Sequence, residues 1–148
     1  MSAESVNLVM SLQISPESDV AALAGDQQAA AELIATVSRS YDSSMQCTMR
    51  FPGLAPVTYT GGLEGVSAAW RDWMRYWASY RIEVEDVIDA GDRVVVIHRA
   101  QCRRRRDTPE CTLRRAAIWT VRDSRVVHVD FNLPCSEALA AVEPAPPA

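Results

Sequence analysis

Few residues in this chain can give or take a proton near neutral pH, and they are where the reading starts. There are two histidines, His98 and His128. His98 lies in a strongly apolar, alternating stretch. An imidazole there can give or take a proton, so His98 is the candidate general acid/base; the alternative is a hydrogen-bonded core histidine. Arg115 is the second candidate. In a dry pocket its guanidinium would stabilise an enolate or hold a carboxylate; alternatively its head leaves the sheet and pairs with a glutamate. Side by side, the two would disfavour the imidazolium and leave His98 neutral. His128 and Asp130, two apart on one strand, read as a surface or interface pair. The run Arg103 to Arg106, flanked by Asp107 and Glu110, reads as a solvated loop tip.

Cys47, Cys102, Cys111 and Cys135 show no CxxC or Cys/His spacing. No metal is expected, and the thiols are read as free, as in the cytoplasm. Every one of the 15 basic residues is arginine, which excludes Schiff-base chemistry on a lysine. Net charge is −4, against a nucleic-acid partner whose binding rests on neutralising phosphates. No apolar run approaches the ~20 residues of a membrane span, so no membrane partner is expected.

These groups need walls around them. Three of the four tryptophans fall in Leu63 to Tyr80. Wound as a helix, this stretch places Val66, Trp70, Trp73, Trp77 and Tyr80 on one stripe. Either the indoles are core, or a curved sheet closes over them and leaves room for a flat apolar ligand. Tyr59, Trp73, Trp77, Trp119, Val129 and Phe131 are the candidate ligand-binding walls. A buried indole N–H also asks for a partner.

The 148 residues suit one domain. Residues 1–14 read as a first helix, Ser15-Pro16-Glu17 as a break and a new helix start, and Asp19 to Ala24 as a short turn of helix. Gln27 to about Arg39 reads as a longer helix capped by Asp26 and ended by Tyr41-Asp42-Ser43. Its apolar face is Ala30, Leu33, Ile34 and Val37. From Ser44 the period changes to two, predicting a strand through Phe51, then a short strand Val57-Thr58-Tyr59. After Tyr80 come strands over Arg81–Asp89, Arg93–Cys102, Thr112–Val121 and Arg125–Leu133, and a closing helix over Ser136–Val142. Residues 143–148 read as a frayed, proline-rich tail. The order predicts an α+β domain with helices on one face of a curved sheet.

Centring the arginine loop puts Cys102 opposite Cys111, Ala100 opposite Leu113, His98 opposite Arg115 and Val94 opposite Trp119. A three-residue loop Arg122-Asp123-Ser124 would set Val121 opposite Arg125, with Ser124 left-handed. One face then collects Val94, Val96, His98, Ala100, Leu113, Arg115, Ala117, Trp119, Val127, Val129, Phe131 and Leu133. The aliphatic residues Val95, Ile97 and Ile118 on the other face suggest a second packing surface, most economically a homodimer through the sheet.

Several strings in this order resemble a family: Tyr59-Thr60-Gly61-Gly62-Leu63-Glu64-Gly65, then Trp70 and Trp73, Ala90-Gly91-Asp92-Arg93-Val94, Ile118-Trp119-Thr120-Val121-Arg122-Asp123 and Ser136-Glu137-Ala138-Leu139. They are similar to SnoaL-like proteins of the nuclear transport factor 2-like superfamily, over about residues 5–142. The resemblance implies a cystatin-like cone, a curved mixed or antiparallel sheet wrapped around the N-terminal helices and the tryptophan helix, with a deep pocket and dimeric assembly. The superfamily holds cyclases, isomerases, epoxide hydrolases, dehydratases and many non-enzymes, so the fold does not fix the activity. Where the epoxide hydrolases carry Arg, a spacer and Asp, this chain reads His98, Arg99 and Ala100; their second aspartate falls at about Phe131. That water-activating set is absent. Two functions stay open: a cofactor-free isomerase, cyclase or dehydratase of a small hydrophobic substrate using His98 and Arg115, or a non-catalytic ligand-binding or dimerisation protein.

Overall fold

A computed structural model of the chain describes residues 2–142; the proline-rich tail lies outside the described residues. Six strands form one sheet: β1 (Tyr41–Met49), β2 (Val57–Tyr59), β3 (Ser79–Ala90), β4 (Arg93–Arg103), β5 (Cys111–Arg122) and β6 (Arg125–Leu133). Their order is β2-β1-β6-β5-β4-β3. All neighbours are antiparallel except β1 and β6, which run parallel. Helices α1 (Ser2–Ser11), α2 (Val20–Gly25), α3 (Gln27–Val37) and α4 (Leu63–Met74) precede the meander, and α5 (Cys135–Val142) closes the described chain.

The polar residues at helix starts explain the helical layer. Asp19 caps α2, its carboxylate accepting from the Ala21 and Ala22 amides. The same oxygen accepts from the Tyr80 amide at 3.0 Å, which pins α2 to the start of β3. Asp26 caps α3 through the Ala29 amide at 3.1 Å. Ser15-Pro16-Glu17 does not start a helix. It is a turn closed by the Ser18 amide on the Ser15 carbonyl, and α2 begins only after its aspartate cap. Tyr41 to Ser43 do not end α3 either. A single 3-10 turn, Ser38–Ser40, does so, and Tyr41 already pairs with Val126 of β6.

The tryptophan helix is shorter than its periodicity predicts. It stops at Met74; Trp77 follows it and Tyr80 is in β3. The Ala78 amide bonds the Arg103 carbonyl at 2.7 Å, and Ser79 and Tyr80 pair with Arg103 and Cys102. Pairing along the edge of β4 outweighs one more turn of helix. The aromatic rings still meet: Trp73 and Trp77 centroids lie 5.6 Å apart, and so do Trp77 and Tyr80.

The β4–β5 register is as expected, with Cys102 on Cys111, His98 on Arg115 and Val94 on Trp119. The last hairpin differs. Its loop is Asp123-Ser124 alone, both left-handed with φ 51° and 61°, the backbone that a two-residue hairpin favours. Arg122 therefore faces Arg125, and Val121 faces Val126. The ladder then slips, so that Thr120 faces His128 and Val127 is the extra residue. A one-residue slip exchanges faces: Val126 is fully buried on the inner face, in place of Val127. A second slip, beside Asn132 at φ 65°, pairs Leu133 with Ala116 and turns it to the outer face.

Two apolar layers result. The inner face packs Val94, Val96, Ala117, Trp119, Val129 and Phe131 against α1, α2 and α4. The outer cluster of Val95, Ile97, Ala116, Ile118 and Leu133 lies under α5, through Ala138 and Leu139. The aliphatic patch that suggests a homodimer is thus already buried within one chain.

Candidate functional site

The inner face, α4 and the two preceding helices do not close completely. Between them is a cavity of about 160 Å³. Leu12 and Ile14 wall it beyond α1, and Val66 and Trp70 from α4. The apolar face of α3 borders it through Leu33, Ile34 and Val37. That helix has no fully buried residue, and Leu33 is 38% exposed, so α3 is a rim resting on the cavity rather than part of the core. The sheet supplies the floor: Tyr41, Ile82, His98, Ala117, Trp119 and Phe131.

Aromatic rings make the stiffest part of this wall. Trp70 meets Phe131 edge-on at 5.3 Å between centroids, and Phe131 meets Trp119 at 5.8 Å. Tyr41 tilts against Trp119 at 6.3 Å. Such edge-to-face contacts hold rings in fixed planes.

His98 is on this wall and 7% exposed. Among the described residues it makes no side-chain hydrogen bond. Burial lowers its pKa to about 4, with the Arg115 charge adding to the effect and Glu85 opposing it. The imidazole is therefore neutral at pH 7. Desolvation is the larger cause, where the sequence suggested only the arginine. Tyr41 is a polar residue of the same cavity wall that the sequence reading missed. It is 9% exposed and burial keeps its phenol protonated well above the ordinary range. The signal is hidden because Tyr41-Asp42-Ser43 reads as a helix end, whereas the strand begins at Tyr41.

The other expected site residues divide. Trp119 and Phe131 line the cavity with His98. Trp73 and Trp77 do not; they are packed among Phe51, Tyr76 and Tyr80, Trp73 in the last turn of α4 and Trp77 just after it. The Nε1 atoms of Trp77 and Trp119 have no acceptor among the described residues, so the indoles do not each find the polar partner that burial asks for. Val129 is buried in the ladder opposite Trp119. Tyr59 turns its hydroxyl to the Asp72 carboxylate, donating at 2.7 Å, away from the cavity. Trp70, on the predicted stripe but not among the expected walls, takes the place that Trp73 and Trp77 leave.

Arg115 lies across the ladder from His98 but borders a different cleft, with Arg50 and Asn132. His128 and Asp130 form a partly exposed contact of 3.4 Å, outside both spaces. In the arginine loop, Arg104 lies over the Trp77 ring at 5.6 Å, and Arg103 donates to the Thr108 carbonyl at 2.8 Å. Among the described residues, no helix is long and apolar enough to cross a membrane.

No curated protein matches the sequence at a significant level. Solved structures match the fold. One is an NTF2-like protein of unknown function from Burkholderia pseudomallei K96243, 15% identical, covering 95% of this chain and 98% of that one with a TM-score of 0.61. TerC, co-crystallised with polyporic acid, is 15% identical over 94% of this chain and 97% of its own, with a TM-score of 0.62. An NTF2-like protein of unknown function from Mesorhizobium loti is 14% identical over 87% of this chain and 89% of its own, at 0.58. At such identities the likeness is one of fold. The SnoaL-like domain pattern matches residues 20–129, a span running from α2 into β6 that includes His98 and most of the cavity wall. On that match the chain belongs to the SnoaL-like domain family, built on the nuclear transport factor 2-like fold.

Proposed function

We propose that the cavity binds a small, mostly apolar carbonyl compound and that neutral His98 accepts a proton from the carbon beside the carbonyl. The Tyr41 hydroxyl donates a hydrogen bond to the oxygen as charge gathers there. One observation carries this reading: an imidazole without a hydrogen-bond partner among the described residues, held neutral, on the wall of a mostly apolar cavity. At a pKa of about 4, His98 is a base of carboxylate strength. Carboxylates of that strength take such protons when good donors hold the enolate. The same value leaves almost no imidazolium at pH 7, so His98 serves as a base and not as a resting acid. A shift of a double bond into conjugation fits, as does the first step of a cyclisation.

Size limits the substrate. A closed cavity of about 150 Å³ takes a benzene ring, and this one is about 160 Å³. One ring fits within it, and a polycyclic or terpenoid substrate must extend past the exposed apolar face of α3.

Cyclohexanone in deuterated water is the test, with exchange of its α-hydrogens followed by NMR. Wild type should accelerate the exchange over buffer. His98→Gln should remove at least about 100-fold of that acceleration, the ordinary contribution of a positioned base, while quenching of tryptophan fluorescence by cyclohexanone persists. Equal exchange in both proteins removes the base. A second reading, a non-catalytic ligand carrier, is favoured by Ala100 and Phe131 standing where related hydrolases carry carboxylates. Binding of cyclohexanone without exchange in wild type would support it.

A further inference from the structure

The cleft bordered by Arg115 has its own chemistry, independent of the cavity at His98. It measures about 200 Å³ and lies between the turn after β1 and the ends of β5 and β6. Arg50, Arg115 and Asn132 give it polar groups; Phe51, Leu54 and Pro134 give it an apolar side. Arg115 is half-buried and, among the described residues, its side chain has no hydrogen bond or ion pair. Arg50 pairs with Glu137 through Nη2 at 2.7 Å. Its Nε is buried and has no acceptor among the described residues.

Asn132 is the most telling residue. It is 7% exposed and held at φ 65°. Its Nδ2 donates to the Arg50 carbonyl at 2.7 Å, which fixes the amide and leaves Oδ1 buried without a donor among the described residues. Buried polar atoms are nearly always paired, and residues held in sparsely populated backbone regions gather at binding sites. Two needs thus stand unanswered among the residues that line the cleft. Arg50 Nε and the Arg115 guanidinium need an anionic acceptor, and Asn132 Oδ1 needs a donor.

A bare anion would meet the first need and be repelled by Oδ1. A neutral alcohol would meet only the second. We infer that this cleft is a binding site for a small 2-hydroxy acid with an apolar substituent. The carboxylate accepts from Arg115 and Arg50, the hydroxyl donates to Asn132 Oδ1, and the substituent lies on Phe51, Leu54 and Pro134. Bidentate carboxylate capture is what a guanidinium does best.

The site has a built-in reporter. Arg115 stands opposite His98 on β5, Glu85 lies beside it on β3, and Arg71 and Tyr41 border the same cavity as His98 from α4 and β1. An anion on Arg115 offsets one of the charges that keep the imidazole neutral, so binding should move the His98 titration upward.

The experiment uses the full chain and three probes of one shape: mandelate, phenylacetate (no hydroxyl) and methyl mandelate (no charge). By calorimetry mandelate should bind at least tenfold more tightly than either of the others. Arg115→Gln should weaken mandelate at least tenfold. Asn132→Gly, which tolerates the left-handed backbone, should make mandelate and phenylacetate equal. By NMR, mandelate should raise the His98 titration in wild type and not in Arg115→Gln. His98→Gln should leave mandelate affinity unchanged, which separates this site from the cavity. Equal binding of mandelate and phenylacetate by wild type overturns the inference. So does unchanged affinity in Arg115→Gln, or competition between mandelate and cyclohexanone.

Discussion

Acidification should reveal the desolvated imidazole as a loss of stability with a defined window. His98 titrates at an ordinary 6.5 when unfolded and at about 4 in the fold. A folded pKa below the unfolded one means that the unfolded chain binds the proton first. The contribution is therefore intact above pH 6.5, is lost as pH falls towards 4, and is level below that. Each pH unit in the window is worth about 1.4 kcal/mol, so the whole loss is about 3 kcal/mol. That is a large part of the ~5–15 kcal/mol that holds a domain together. Carboxylates such as Glu85, held below its ordinary range by the Arg114 hydrogen bond, lose stability in the same direction. A difference measurement removes them. Urea unfolding of wild type and of His98→Leu, close in volume and without a proton to bind, should be compared from about pH 7 to about pH 4.5; the wild type should lose about 2 kcal/mol more than the variant across that span. Arg115→Gln should narrow the window, because one of the two causes is gone while burial remains. Parallel curves for wild type and His98→Leu would refute the reasoning, as would an NMR titration of His98 near its ordinary value.

Other consequences follow from packing. A methyl at Gly65 would sit 2.5 Å from the Thr60 carbonyl oxygen, so Gly65→Ala should cost about 1–3 kcal/mol in urea unfolding by displacing the start of α4. Trp77→Ala should cost about 3–5 kcal/mol, since the ring is 9% exposed among other aromatics, yet leave cyclohexanone affinity within a few-fold. Trp70→Ala should do the reverse, costing less stability and changing affinity, because that half-buried ring borders the cavity. The thiols of Cys102 and Cys111 lie 3.4 Å apart, with Cys102 buried and raised to about 12 and Cys111 exposed. Diamide, a two-electron oxidant, should join this pair slowly, and mass spectrometry should find the two thiol hydrogens lost. Cys111→Ser should abolish that product.

The reach of the sequence differs from element to element. Alternation located β6 to the residue and β4 and β5 to within one, because a strand with one face in a core must repeat every second residue. The loop of four arginines located the β4–β5 register, since a polar tip between two alternating runs has one symmetric closure. His98 opposite Arg115 was legible for the same reason. The end of α4 was not, because Trp77 and Tyr80 suit a helix stripe as well as they suit the place where they are found. Only the free edge of β4, far along the chain, decides between the two. Tyr41 was lost through that kind of competition: its strand partner is Val126, and no local pattern names it.

Caps, turn residues and hydrophobic period are local properties, and they were enough to specify an α+β chain with a helical layer, a meander and a buried imidazole. Which aromatic rings border the open space, which way Arg115 leaves the sheet, and which face Val126 and Leu133 take depended on the assembled molecule. Those outcomes turn on one-residue slips and on contacts between distant segments, whose free energies exist only once the whole sheet has formed.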